Sequence, residues 1–272
     1  MFAENPFAAL HSVLPPGAMQ TYVVLMVLAV IVGTLLDVAH KGSAKYFFAN
    51  WRKSRDKGKP VDIGSIAVQT AVVDVLASGE FCNPRRRLAH LLTMYGFVFH
   101  VLSTAVLVFA YPTSAAAAPW TQLWWLGGLM VLVGGYWFWF FIRVDVAAEG
   151  LSPLRLERAD LFVLSLLASV TFGILWALVQ GGAVISWVLF ALYILATTVL
   201  FCGVYWSKFA HMFFKPAAAF EKRVSKLNGT NNNLPLQTRD DPAQRERHSM
   251  ELLKNAPMDM GLGIKREAPR HY

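Results

Sequence analysis

The stretch Arg85-Arg86-Arg87-Leu88-Ala89-His90-Leu91-Leu92-Thr93-Met94-Tyr95-Gly96-Phe97-Val98-Phe99-His100 is apolar, entered through three arginines, and carries two histidines ten residues apart. On a helix this spacing separates them by ~15 Å along the axis. An ionisable side chain inside a membrane segment is costly, so it points to function by default. Of the seven histidines, His11, His248 and His271 lie in polar terminal stretches, and His40 stands beside Lys41 at the mouth of an apolar run. His90, His100 and His211 remain as membrane or membrane-edge candidates. Two histidines from different helices at one depth can clamp a haem iron, because bundles build cofactor sites from side chains on facing helices. Two axial imidazoles leave no open position, so such a site moves electrons and does not bind oxygen.

The elements that must position these residues follow from composition. The chain has 272 residues, 56% hydrophobic and 15% charged, with a mean hydropathy of +0.43. Soluble domains carry roughly 25% charged residues, so the class is an all-α membrane protein. The net charge of +8 does not indicate nucleic acid, because the basic residues crowd into links between apolar runs. Cys82 and Cys202 are too few for a four-thiolate iron–sulfur cluster or a disulfide scaffold. Residues 1–19 hold no Lys or Arg, so the positive region of a cleavable signal peptide is missing and the first apolar run is expected to stay.

Five apolar runs are long enough to span a bilayer, at about 18–39, 87–111, 120–142, 160–181 and 183–209. The last two, joined at Gln180-Gly181-Gly182, are expected to form an antiparallel hairpin. The 40–86 segment, the 143–159 loop and the tail after Lys215 are basic, whereas the N-terminus (1–17), the 112–119 link and the 180–182 turn have no Lys or Arg. The expectation is a five-helix bundle, 18–220, with a periplasmic N-terminus and a cytoplasmic C-terminus. Trp120, Trp124 and Trp125 are expected at the outer interface, and Trp137 and Trp139 at the inner one. In the 40–86 link, the first half reads as a solvated basic stretch and Val61 to Ala77 as an amphipathic helix on the membrane surface. Gly127-Gly128 and Gly134-Gly135 read as close helix contacts. The 221–272 tail reads as a flexible cytoplasmic segment, with a polar linker over 228–233 and a short polar helix over 241–255, or as a docking arm.

This topology sets His90 and His211 at one depth near the cytoplasmic surface, as the candidate pair for one haem b. Arg87 and Lys208 then stand ready for propionates or a docking partner, and Gly96 can let a flat macrocycle approach the backbone. The plainer alternative makes both histidines interface residues at helix ends. His100 lies deeper, with Tyr193 at a matching depth. That pair suits a hydrogen bond inside the bundle or contact with a quinone head group, while a second haem would need Tyr193 as its ligand.

Five spans, an outside N-terminus and the His90/His100 spacing resemble the membrane cytochrome b subunit of respiratory nitrate reductase and of heterodisulfide reductase-like complexes. The resemblance pairs His90 with His211; its second ligand pair falls on His100 and Tyr193, so one histidine of the second haem is replaced. Within this group the chain looks most like the membrane subunit associated with adenylylsulfate reductase, through Cys82-Asn83-Pro84-Arg85-Arg86-Arg87-Leu88-Ala89-His90, Tyr95-Gly96-Phe97, Trp206-Ser207-Lys208-Phe209-Ala210-His211 and Lys215-Pro216. It implies a non-catalytic anchor in the bacterial inner membrane, passing electrons between a cytoplasmic flavin and iron–sulfur enzyme and the quinone pool. A haem-free structural anchor is the alternative. A small transporter is disfavoured, because the five cores hold no mid-bilayer carboxylate or lysine.

Overall fold

Lipid offers no hydrogen bonds to the backbone, so a chain this apolar satisfies its peptide groups within helices. The computed structural model describes residues 2–79, 81, 83–145, 150–180 and 184–231, and contains no strand among them. Its helices are α1 (Pro16–Lys41), α2 (Ser43–Lys57), α3 (Ile63–Gln69), α4 (Pro84–Phe109), α5 (Ala118–Trp137), α6 (Leu161–Leu178), α7 (Val184–Cys202) and α8 (His211–Leu227). Two of them widen into π-helical turns, α3 over Thr70–Leu76 and α5 over Phe138–Ile142. Among the described residues five segments are long and apolar enough to cross a membrane: Pro16–Lys41, Pro84–Phe109, Ala118–Ile142, Arg158–Leu178 and Val184–Tyr205. Their ends define a neutral end, with the N-terminus and the 110–117 link, and a basic end, with the 42–83 link and α8.

Glycine sets the spacing of the bundle. A Cβ on Gly127 would stand 2.6 Å from the His100 nitrogen, and one on Gly134 2.7 Å from the Ala89 oxygen. The second glycine of each pair faces α6, where Gly128 meets Ile174 and Gly135 meets Leu167. Both pairs are thus helix-packing glycines, and α5 is held between α4 and α6.

The neutral end is closed by the N-terminal segment. Asn5 is 3% exposed. Its amide nitrogen donates to the carbonyls of Leu107, Tyr111 and Ser114 at 3.4, 2.7 and 3.4 Å, and its oxygen accepts from the Phe7 nitrogen at 3.0 Å. With those backbone groups satisfied, Phe7 and Leu10 can join the core. Trp124 and Trp125, in the second turn of α5 next to this end, are 0% and 5% exposed, covered by Phe7 and Phe2.

At the basic end two expectations are corrected and one is filled in. The solvated basic stretch is the helix α2, its lysines and arginines exposed, and its Phe47 and Trp51 stack in a row with the Phe220 of α8 at 6.3 and 5.4 Å. The fifth span does not run to 209: α7 stops at Cys202, and tight turns over Gly203–Tyr205 and Lys208–Ala210 redirect the chain, so that His211 opens α8. The tail is helical to Leu227, and the start of the supposed flexible linker is fixed. The Asn228 amide donates to the Ser54 carbonyl at 3.0 Å and hydroxyl at 2.6 Å, and the Lys59 nitrogen donates to the Asn228 carbonyl at 3.0 Å. The expected amphipathic helix over Val61 to Ala77 is α3 with its π turn, capped by Asp62 and tied to α8 through Asp74 and Arg223. The helix expected over 241–255 lies outside the described residues.

Candidate functional site

The first turn of α4 is set by Asn83, whose side-chain oxygen accepts from the Arg85 and Arg86 nitrogens, with Pro84 at the first helical position. This start places His90 two turns in, half-buried, beneath the turn that joins the 63–76 helix to α4. His90 Nδ1 lies 3.0 Å from the Ser78 hydroxyl, and the Phe81 ring packs on the imidazole at 4.8 Å. His211 opens α8, where its Nδ1 donates to the Lys208 carbonyl and its ring meets Phe162 edge-on at 5.9 Å. Both imidazoles therefore have Nδ1 at hydrogen-bond distance from an oxygen of the chain. Between α4, α6 and α7, Phe97, Phe162 and Phe201 surround the buried Phe209 at 6.2, 5.2 and 6.0 Å, an apolar wall at the same end.

The other residues named from sequence fall differently. Arg87 spends its Nε on the Ala77 carbonyl at 2.7 Å, so it braces the turn over His90. The Lys208 side chain is exposed, and its main chain serves His211. Gly96 is buried against α5, where a Cβ would lie 2.7 Å from the Gly127 oxygen. The α4 face that sequence offers to a macrocycle is filled by the α5 backbone, so Gly96 packs helices and is no haem cradle.

His100 belongs to a second cluster. It is 6% exposed; its Nδ1 donates to the Trp124 carbonyl at 3.0 Å, and its ring lies against the Trp124 indole at 4.6 Å. Glycine at 128 makes room for this, since a Cβ there would be 3.3 Å from Nδ1. The Trp124 indole nitrogen donates to Thr104 at 3.0 Å, and Thr104 shares a hydrogen bond with the Tyr193 hydroxyl. Tyr193 is itself buried, stacked with Trp176 at 6.1 Å. His100 and Tyr193 thus belong to one network through Thr104, and His100 Nε2 is buried with no hydrogen-bond partner among the described residues. That acceptor nitrogen is what a ligand carrying a hydroxyl would meet.

Buried charges also stand where sequence suggested only topology markers. Arg143 is 0% exposed; its guanidinium donates to Asp160 at 2.5 Å and to the Ser152 and Arg155 carbonyls at 2.7 Å each, and lies 4.2 Å from the centre of the Trp139 ring. Asp37, also 0% exposed, has Lys41 Nζ at 2.5 Å as its ion-pair partner. No sequence signal reports the Arg143 pair, because Asp160 is seventeen residues away across a loop. Outside the spans, the Arg223 hydrogen bond holds the Asp74 carboxyl below its usual range and pushes Arg223 up. Burial raises Glu221.

Compared with protein-family models, with curated proteins and with solved structures, the chain matches none.

Proposed function

We propose that this chain is the membrane anchor and electron-transfer subunit of a complex in the bacterial inner membrane. Its partner is a cytoplasmic flavin and iron–sulfur enzyme, adenylylsulfate reductase on the resemblance, and its electrons pass to the quinone pool. In the sulfur-oxidising direction the partner converts sulfite and AMP to adenylylsulfate, releasing two electrons; none of that chemistry falls to this chain. The reading is supported by His90 and His211, which both stand toward the basic end with Nδ1 on an oxygen of the chain; it takes the two as the ligands of one haem. When bound between them, a b-type haem supplies one-electron transfer. The chain's own part is to fix the two imidazoles, to exclude water with the Phe97, Phe162, Phe201 and Phe209 wall, and to keep His100 Nε2 and Tyr193 ready for a quinone head group. The basic end faces the cytoplasm in this reading, so the exposed lysines and arginines of α2 and α8 meet an acidic partner.

A haem-free anchor is the second reading, and the filled face at Gly96 favours it. Haem per polypeptide by pyridine haemochrome separates the two, on protein made with ample haem and on His90→Ala and His211→Ala. About one haem, lost in either variant, supports the electron carrier; none in the parent protein sinks it and leaves the anchor.

A further inference from the structure

The helix over Ile63–Leu76 is apolar and has little protein around it. Ile66 and Thr70 are buried, whereas Ile63, Val68, Val72, Val73 and Leu76 are exposed, Val68 at 65%. Asp74 is the only charged residue between Ile63 and Gly79, and Arg223 of α8 neutralises it. Apolar residues with no charged face opposite mark a helix held in a core or in a membrane. The two ends of this helix lie in different surroundings. At its start Asp62 caps it just after Lys59 and Pro60, both exposed, and the Lys59 nitrogen is fixed on the Asn228 carbonyl beyond the end of α8. At its finish the chain lies against the first half of α4. There Tyr95 donates its hydroxyl proton to the Leu76 carbonyl at 2.7 Å, and Arg87 donates to the Ala77 carbonyl at 2.7 Å.

Tyr95 stands eleven residues beyond Pro84, ~16 Å along the α4 axis. A helix of 26 residues outreaches a hydrocarbon core of ~30 Å by only ~5 Å at each end, so Tyr95 is well inside the core. Side chains lean toward the helix N-terminus, so Leu76 is met about one turn above Tyr95, still below the headgroups. The bonds at this point match that depth. Water would solvate carbonyls that leave a helix, whereas inside lipid they need partners from the protein. Leu76 and Ala77 find theirs on α4, and the Gly79 nitrogen donates to the Val73 carbonyl at 2.7 Å. We infer that residues 63–79 form a re-entrant segment, which enters the leaflet at the basic end and meets its acyl chains through Val68, Val72 and Leu76. The segment slopes into the membrane and does not lie along its surface. Through Asp74 and Arg223 the inserted helix also fastens α8 to the lipid.

Nitroxides on Val68→Cys, Val72→Cys and Leu76→Cys, each with Cys82 and Cys202 replaced by serine, test this in the full-length protein in phosphatidylethanolamine and phosphatidylglycerol vesicles. All three side chains are exposed, so the substitutions leave the core intact. Labels on Leu28→Cys, on the exposed face of α1, and on Arg55→Cys, on α2, serve as lipid and water references. Oxygen collides with a label in lipid more often than a water-soluble nickel chelate does. The ratio of oxygen to chelate collisions is expected to rise from Val68 to Leu76 and to approach the ratio at Leu28. A ratio at Val72 and Leu76 equal to that at Arg55 overturns the insertion. An oxygen excess that is the same at all three positions lays the helix flat in the interface, and labels shielded from both reagents put another protein chain on this face. Either of those results overturns the re-entrant segment too.

Discussion

Arg143 carries its charge with no exposure, and everything around the guanidinium answers it: one carboxylate, two carbonyls and an indole face. A buried pair adds little over an apolar pair of the same shape, yet removing one partner strands the other charge. Arg143→Ala should therefore destabilise the bundle by about 3–5 kcal/mol. Adding Asp160→Asn to it should recover much of that loss, because the two changes share one interaction. Thermal unfolding of the two variants in one detergent checks this, and additive losses would mean that the pair is not coupled. At this scale residue types were legible and partners were not. His90, His100 and His211 stand out in sequence because imidazoles are rare in apolar runs, whereas Ser78, Thr104 and Asp160 are ordinary residues until the fold brings them to a ring or a guanidinium.

Helices announce themselves through unbroken hydropathy, and the five spans lie close to the ranges expected for them. What hydropathy misses is where an apolar run turns. The run continues past Tyr205 through Trp206, Phe209 and Met212, yet the tight turns at Gly203–Tyr205 and Lys208–Ala210 end the span and start α8. Basic residues hid α2 in the same way, since its aromatic face is complete only when Phe220 arrives from α8. The α8 region carries two carboxyls of opposite behaviour, Asp74 bound by Arg223 of α8 and Glu221 on α8 itself. Asp74 is held below its ordinary value by Arg223, so its contribution is present above about pH 3.9 and is lost as pH falls through the lowered value. Glu221 is raised by burial, so its cost applies above the raised value and lifts as pH falls toward about 4.3. The docking of α8 is expected to tighten first on acidification and then to loosen. A nitroxide on Lys226→Cys, with Cys82 and Cys202 replaced by serine, reports this as spin-label mobility. Glu221→Gln should remove the first change and Asp74→Asn the second; a single monotonic loosening in the parent would contradict the assignment.

Orientation belongs to the whole molecule, because it depends on where charge collects once the chain is folded. Lys41, Lys45, Arg52, Lys53, Arg55, Lys57 and Lys59 are all exposed at the basic end, joined there by Lys215, Lys222 and Lys226 of α8. The described residues of the neutral end, 2–15 and 110–117, hold no Lys or Arg. Basic residues near span ends stay on the cytoplasmic side, so the proposed orientation puts α2 and α8 in the cytoplasm. A count of this kind survives local errors in span limits, which is why it could be made from sequence although α2 and α8 could not. Fusion of a reporter active only outside the membrane is expected to give signal after Ser114 and none at the C-terminus, with a cytoplasmic reporter giving the converse. The reversed pattern would remove the docking surface from the side on which the proposed partner works. With the orientation upheld, the same charges make a second demand. Association with an acidic reductase through exposed lysines and arginines is screened over about 8 Å at physiological ionic strength. Pull-down of the partner should therefore weaken steeply between low and high salt, and neutralising Lys53, Arg55 and Lys57 together should flatten that dependence. Binding that ignores salt would shift the contact away from the charged faces and toward exposed apolar residues such as Tyr46 and Phe48.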